Sequence, residues 1–233
     1  MKNYYYFILI SMSAIVFSCT DKESSIVLEK TVKPCPDTPT VTYYGKTYNT
    51  IQIGNQCWLK ENLDVGAMIN TNSSSDKQTN NGVIEKYCYD NDTSNCDKYG
   101  GLYEWNEAMQ YVTSEGTQGI CPDGWHIPTT SEFLILEAFV KDLATNVVDV
   151  SQTTSGYTAT NETGFSALFA GYRYNDLGGF YGIGGRTCFW TSTESSSGNG
   201  AGRVLLGFDY SGVLFGDGNY DKNDGFCIRC LKD

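Results

Sequence analysis

The sequence predicts an α+β domain of short antiparallel strands, two helices and long loops braced by disulfides. Three observations lead there. Runs of strand-like residues between glycine-bearing turns occupy both ends of residues 41–233. Two segments near the middle carry helical spacing instead. The chain has 9 cysteines, and setting Cys19 aside leaves an even set: Cys35, Cys57, Cys88, Cys96, Cys121, Cys188, Cys227 and Cys230. An even set suits disulfides in an exported chain.

Export is read from residues 1–18. Lys2 gives a positive start, Tyr4 to Ile10 are all aromatic or aliphatic, and Ser11 to Phe17 carry no charge. The stretch falls short of the roughly 20 apolar residues that span a bilayer. It ends at Ser18-Cys19, followed by the polar Thr20-Asp21-Lys22-Glu23. This break resembles the lipobox of bacterial lipoproteins. The resemblance implies that Cys19 becomes the first residue and carries lipid that anchors the chain to a membrane. An ordinary secretory peptide cut near a cysteine is the alternative. Asp21 and Glu23 are similar to the acidic tag of lipoproteins sent to the outer face of the outer membrane in the Bacteroides group.

Residues 19–40 read as the lipidated cysteine and a flexible tether, with Pro34, Pro36 and Pro39 and little apolar pattern after Leu28. The domain is expected over 41–233. Val41 to Tyr44, Thr47 to Ile53 and Gln56 to Leu59 read as strands of a small meander, turned at Gly45 and Gly54. Thr71 to Gly82 is a polar loop, and Asp90 to Asn95 has turn chemistry throughout, which a Cys88–Cys96 disulfide would staple. Leu102, Trp105 and Met109 fall on one side of a short helix. A second helix starts at Thr129, with Glu132 reaching back in a capping box. Phe133, Leu136 and Val140 form its apolar face, which Leu134 and Ala138 widen, and it fades near Leu143. Phe165 to Tyr174, Cys188 to Thr193, Arg203 to Phe208, Val213 to Phe215 and Phe226 to Leu231 are candidate strands. No regular strand–helix alternation suggests a parallel sheet.

The chain has 27 acidic and 16 basic residues, for a formal net charge of −11. With no Lys/Arg cluster, the phosphate-backbone attraction behind nucleic-acid binding has nothing to act through, so no nucleic-acid partner is expected.

An ordered series of motifs carries a family resemblance. Thr47 to Leu63, Cys88 to Met109, Cys121-Pro122-Asp123-Gly124-Trp125-His126-Ile127-Pro128, Gly164 to Ala167, Gly171-Tyr172-Arg173, Phe189 to Glu194 and Gly225 to Cys230 resemble the Fibrobacter succinogenes major paralogous domain. The resemblance implies a C-type-lectin-like fold, in surface or secreted proteins whose molecular function is uncharacterised. It also implies a distant similarity to formylglycine-generating enzymes. From the fold follow the pairs Cys121–Cys230 and Cys88–Cys96. Cys188 with Cys227 across neighbouring strands, and Cys35 with Cys57, are the remaining expectations, since those four depart from the usual pattern.

Several residues have chemical readings. Cys227-Ile228-Arg229-Cys230 has the spacing of a redox pair or half a metal site, but strand context favours structural cysteines. His126, the single histidine, has no nucleophile or carboxylate partner by local motif and reads as a packing or capping residue. Asp209, Asp217, Asp221 and Asp224 are oxygen donors of the calcium type, at no EF-hand spacing, and also read as a solvated acidic loop. Tyr172, Tyr174, Tyr181 and Tyr210, with Glu194, could line a sugar or peptide groove, while Trp190 reads as core. No cofactor and no catalytic set is expected. The reactive cysteine pair of formylglycine-generating enzymes has no counterpart in Ser211 to Asp224. The leading expectation is a cell-envelope lipoprotein with an extracellular ligand-binding or adhesion role, its partner a glycan or an envelope protein. The alternatives are a structural or assembly component of the envelope and, less favoured, an enzyme.

Overall fold

The computed structural model describes residues 32–140, 144–176, 178–208 and 214–233, giving the backbone alone over 214–219. Cys19, the export signal, Leu143, Asp209 and Tyr210 lie outside the described residues.

The first sheet joins the two ends of the domain. β1 (Thr40–Tyr43), β2 (Lys46–Ile53) and β3 (Gln56–Leu59) form an antiparallel meander. Gly45, at φ 76°, takes a left-handed turn that side chains with a Cβ disfavour. β12 (Leu231–Lys232) lies between β3 and β6 (Trp125–His126), and Leu231 pairs with both Trp58 and His126. The fold takes in residues ahead of Val41: Lys33 bridges Gln52, and Cys35 is buried.

The second sheet holds β7 (Ala170–Tyr174), β8 (Gly179–Ile183), β9 (Arg186–Glu194), β10 (Gly200–Gly207) and β11 (Leu214–Asp221). Its order is β11-β10-β9-β7-β8, antiparallel except between β7 and β9. A small parallel pair, β4 (Ala67–Met68) and β5 (Glu85–Lys86), stands apart. Of the strand expected over Phe226 to Leu231, only Leu231 is strand; Phe226 and Cys227 make single bridges to Tyr103 and Phe189.

Three α-helices are present among the described residues, against the two expected. The additional one, α1 (Thr93–Tyr99), replaces the turn read between Cys88 and Cys96. Asp92 caps it by accepting from the Ser94 amide at 2.9 Å, and Cys96 ties it to Cys88. α2 (Trp105–Ala108) is a single turn that buries Trp105. α3 (Thr130–Val140) opens on the expected box. The Thr129 hydroxyl accepts from the Glu132 amide at 3.1 Å, and the Glu132 carboxylate accepts from the Thr129 amide at 2.8 Å. Phe133, Leu136 and Val140 are buried, but Leu134 and Ala138 face solvent, so the apolar stripe is narrower than expected.

α3 packs over an aromatic core. Phe133 and Phe165 lie 5.0 and 5.5 Å from Trp58, and Phe189 lies 6.0 Å from Phe165. A second core gathers Tyr103, Trp105, Trp190 and Phe226, and Trp190, read as core, is fully buried.

Three disulfides brace this frame: Cys35–Cys57, Cys88–Cys96 and Cys121–Cys230. The last spans 109 residues and ties the segment before β6 to the C-terminus, where loop-closure entropy is worth roughly 4–5 kcal/mol. The expected Cys188–Cys227 bond is absent, and both residues are buried thiols. The register explains it. Cys227 pairs with Phe189 and shares that side chain's core, whereas Cys188, one position earlier, projects into the other core. The strands are adjacent, but the sulfurs face opposite sides of the sheet.

Candidate functional site

β7 carries Tyr172 and Tyr174 two positions apart, hence on one face, and β8 places Tyr181 directly opposite Tyr172. Three of the four groove tyrosines therefore meet. The Tyr172 ring centroid lies 6.3 Å from that of Tyr174 and 6.3 Å from that of Tyr181. Tyr174 and Tyr181 keep 37% and 38% of their surface in solvent, while Tyr172 is half-buried. The intervening residue, Arg173, points the other way and is fully buried. Period-2 alternation in Tyr172-Arg173-Tyr174 thus separates a solvent face from a buried guanidinium.

Charge lies beside this face. The Arg203 guanidinium on β10 sits 3.7 Å above the Tyr220 ring and 5.6 Å from Phe226, whose ring meets Tyr172 edge-on at 6.2 Å. Asp224 is 2% exposed and accepts from the Asn175 amide at 2.9 Å. Burial pushes its carboxyl up to about 6. The charge on Asp224, together with desolvation, raises the Tyr174 phenol. Asp221 accepts from the Asn175 side chain and from the Asn223 amide at 2.9 and 3.0 Å. Burial is the largest single influence on Asp221 and would raise its carboxyl, yet these hydrogen bonds together hold it below the usual range.

Glu194, expected to line the groove, is held in an ion pair by Lys222, and the same ammonium lies 4.3 Å above the Trp105 ring. Of the four calcium-type residues, Asp221 and Asp224 meet around Asn175, and the Asp217 side chain is outside the description. Among the described residues, no group of three or more His, Cys, Asp or Glu is placed to hold a metal ion. His126, expected to have no carboxylate partner by local motif, is held between Glu132 at 3.1 Å, the capping-box residue six positions on, and Asp233 at 2.7 Å. Arg203, Tyr220 and Asn175 were missed. A lone arginine inside the apolar strand Gly200–Gly207 was the available signal, because a charge there needs a partner.

A second group of buried polar residues surrounds Glu104. Glu104 is 5% exposed, accepts from the Tyr87 hydroxyl at 2.7 Å and lies 3.9 Å from Arg173. Burial raises its carboxyl to about 7 despite those partners. Arg173 also donates to Thr71, Ser73 and Asp76, pinning the polar loop against the sheet.

These features define an α+β domain of curled antiparallel sheets and three disulfides, with an aromatic surface edged by buried charge. The chain belongs to the Fibrobacter succinogenes major domain family, whose sequence profile matches residues 51–232, from inside β2 to the end of β12. No curated protein and no solved structure matches the chain. Among the described residues, no helix is long and apolar enough to cross a membrane.

Proposed function

We propose that the chain is an exported lipoprotein of the cell envelope whose C-type-lectin-like domain binds an extracellular ligand, a glycan or an envelope protein, through the tyrosine face. One observation carries this reading: Tyr172, Tyr174 and Tyr181 share a surface that leaves two rings partly in solvent, beside the Arg203 guanidinium. Rigid aromatic rings next to a cation and amides suit the apolar and hydroxyl faces of a sugar. Lipid on Cys19 holds the domain at the membrane, and Asp21 and Glu23 direct it to the exterior of the outer membrane. The role is binding rather than catalysis. In support, burial pushes the Cys188 and Cys227 thiols up to about 12 and 11, the reverse of an activated nucleophile.

A glycan array probed with the full-length chain, next to its Tyr174→Ala and Tyr181→Ala variants, tests the reading. Each truncation should weaken array binding about tenfold without lowering Tm. Variants that bind like the parent would end the assignment to this face. Mass spectrometry of the membrane-extracted protein should find acyl chains on an N-terminal Cys19, and a free terminus would remove the anchor.

A further inference from the structure

We propose that a second site, an open polar cleft floored by Arg229, takes a small polyhydroxylated carboxylate of the uronic-acid class. The cleft encloses about 260 Å³ between the end of β3, the end of α1 and the segment ahead of β7. It shares no lining residue with the tyrosine face, so either site can fail without the other.

The floor is the first reason. Arg229 is 1% exposed, and among the described residues no carboxylate pairs with it. Its Nε and Nη2 donate to the Asn62 side-chain oxygen at 3.1 and 2.7 Å, and its Nη1 donates to the Leu59 and Phe165 carbonyls at 3.2 and 2.6 Å. These bonds use four of the five N–H groups a guanidinium carries. They satisfy geometry without neutralising charge. Glu61 on the rim acts on it only from beyond ion-pair distance. A buried cation with no carboxylate in contact leaves a positive potential that is strongest where the low-dielectric wall opens, at the cleft.

The rim is the second reason. Lys60 and Lys98 line the opening without a carboxylate partner among the described residues, and the Lys98 ammonium lies 4.7 Å over the Tyr99 ring. Lys46 also lines it, paired with Asp64 at 3.4 Å. Against these stand Glu61, Asp97 and Asp149. Glu61 is occupied by the Asn49 amide and side chain, and Asp149 by the Ser151 amide. The lining holds four cations and three carboxylates, and with Lys46 already paired to Asp64 its charges balance, on a chain whose formal net charge is −11. A densely charged anion would be repelled by Asp97 and Asp149. A ligand with one carboxylate and several hydroxyls meets both sets: the carboxylate goes to the cations, and the hydroxyls donate to Asp97, Asp149 and the Ser166 hydroxyl. The volume suits one sugar ring rather than a chain.

Isothermal titration of the full-length chain with glucuronate, glucose and acetate tests the proposal. Glucuronate should bind at least about tenfold more tightly than either of the others, since neither the carboxylate nor the hydroxyls alone fill the cleft. Added salt should weaken it, as charge contacts at an open rim are screened. Lys60→Glu with Lys98→Glu, both away from the core, should lower glucuronate affinity about tenfold and leave Tm and glycan-array binding through Tyr174 unchanged. Equal binding of glucuronate and glucose, no measurable binding up to millimolar concentration, or full retention in the double variant would each overturn it.

Discussion

Arg173 and Arg229 are both wholly buried, yet the protein balances them differently. Arg173 lies beside the Glu104 carboxylate, stacks 4.6 Å over the Tyr87 ring and donates to the loop at Thr71 to Asp76 and to the Asn223 carbonyl. Arg229 has no carboxylate in ion-pair contact among the described residues, with Glu61 acting from farther off, and rests on Asn62, two carbonyls and the Phe165 ring 4.3 Å away. Burial lowers Arg229 to about 10, so it stays charged at neutral pH. The difference teaches that hydrogen bonds alone hold a buried guanidinium in place, whereas a carboxylate partner makes the same arrangement sensitive to protons. Around Arg173 the charge is sealed under a loop. Around Arg229 it lines an opening.

Replacing each arginine by methionine should separate the two cases. Arg229→Met strands the Asn62 oxygen and two carbonyls, and we expect a loss of about 3–5 kcal/mol in urea unfolding, nearly the same at pH 5 and pH 8. Arg173→Met strands loop carbonyls and also removes a charge that lowers the Glu104 carboxyl. Its cost should therefore be larger at pH 8 than at pH 5, by on the order of 1 kcal/mol or more. A pH-independent cost at Arg173 would show that Glu104 is not its electrostatic partner.

The next largest effect belongs to Glu104 itself. Its folded carboxyl titrates at about 7, above the ordinary value of 4.5. The folded state thus binds more protons than the unfolded chain between those values. The stability this group contributes is complete below pH 4.5 and is lost as pH rises through about 7. Glu104→Gln keeps an acceptor for Tyr87 while removing the titration, so the stability–pH curve should flatten over that window, with a gain on the order of 1–3 kcal/mol at pH 8. An unchanged slope in the variant would place the pH dependence elsewhere.

These contrasts also mark what the sequence made legible. The capping box at Thr129 and Glu132 and the turns at Gly45 and Gly54 follow from signals that span a few residues. Helix α1 was hidden because Asp92 and Ser94 serve a turn as well as a cap, and the residues after them carry no apolar stripe. Strand β8 was hidden by three glycines near it (Gly178, Gly179 and Gly182), which weaken strand propensity although its pairing with β7 is regular. The Cys188–Cys227 expectation failed on register, which adjacency in the sheet does not supply. The tyrosines of the face were named from residue type. The Arg229 cleft was not named, because its walls come from segments far apart in the chain, and periodicity says nothing about which loops meet.

His126 extends the comparison to a cation with two carboxylates. Glu132 at 3.1 Å and Asp233 at 2.7 Å flank its ring, and the hydrogen bond to Glu132, opposed by burial and aided by Asp233, raises its pKa above 6.5. A histidine raised on folding contributes stability that is fully present below pH 6.5 and is lost as pH climbs through the higher folded value. This falls in the same direction as Glu104 and begins near pH 6.5, inside the window over which the Glu104 contribution is lost, so the two losses overlap there. Asp233 is largely exposed and its contribution screened, so His126→Asn should cost no more than about 1 kcal/mol at pH 6 and almost nothing at pH 9. The loss should shrink further in high salt, whereas the stability loss at Arg229 should change less, because Asp233 stands open to solvent ions and the Arg229 guanidinium, though it lines the cleft, is 1% exposed. Equal salt sensitivity at the two positions would erase the distinction between a charge balanced by carboxylates at the surface and one held by hydrogen bonds inside.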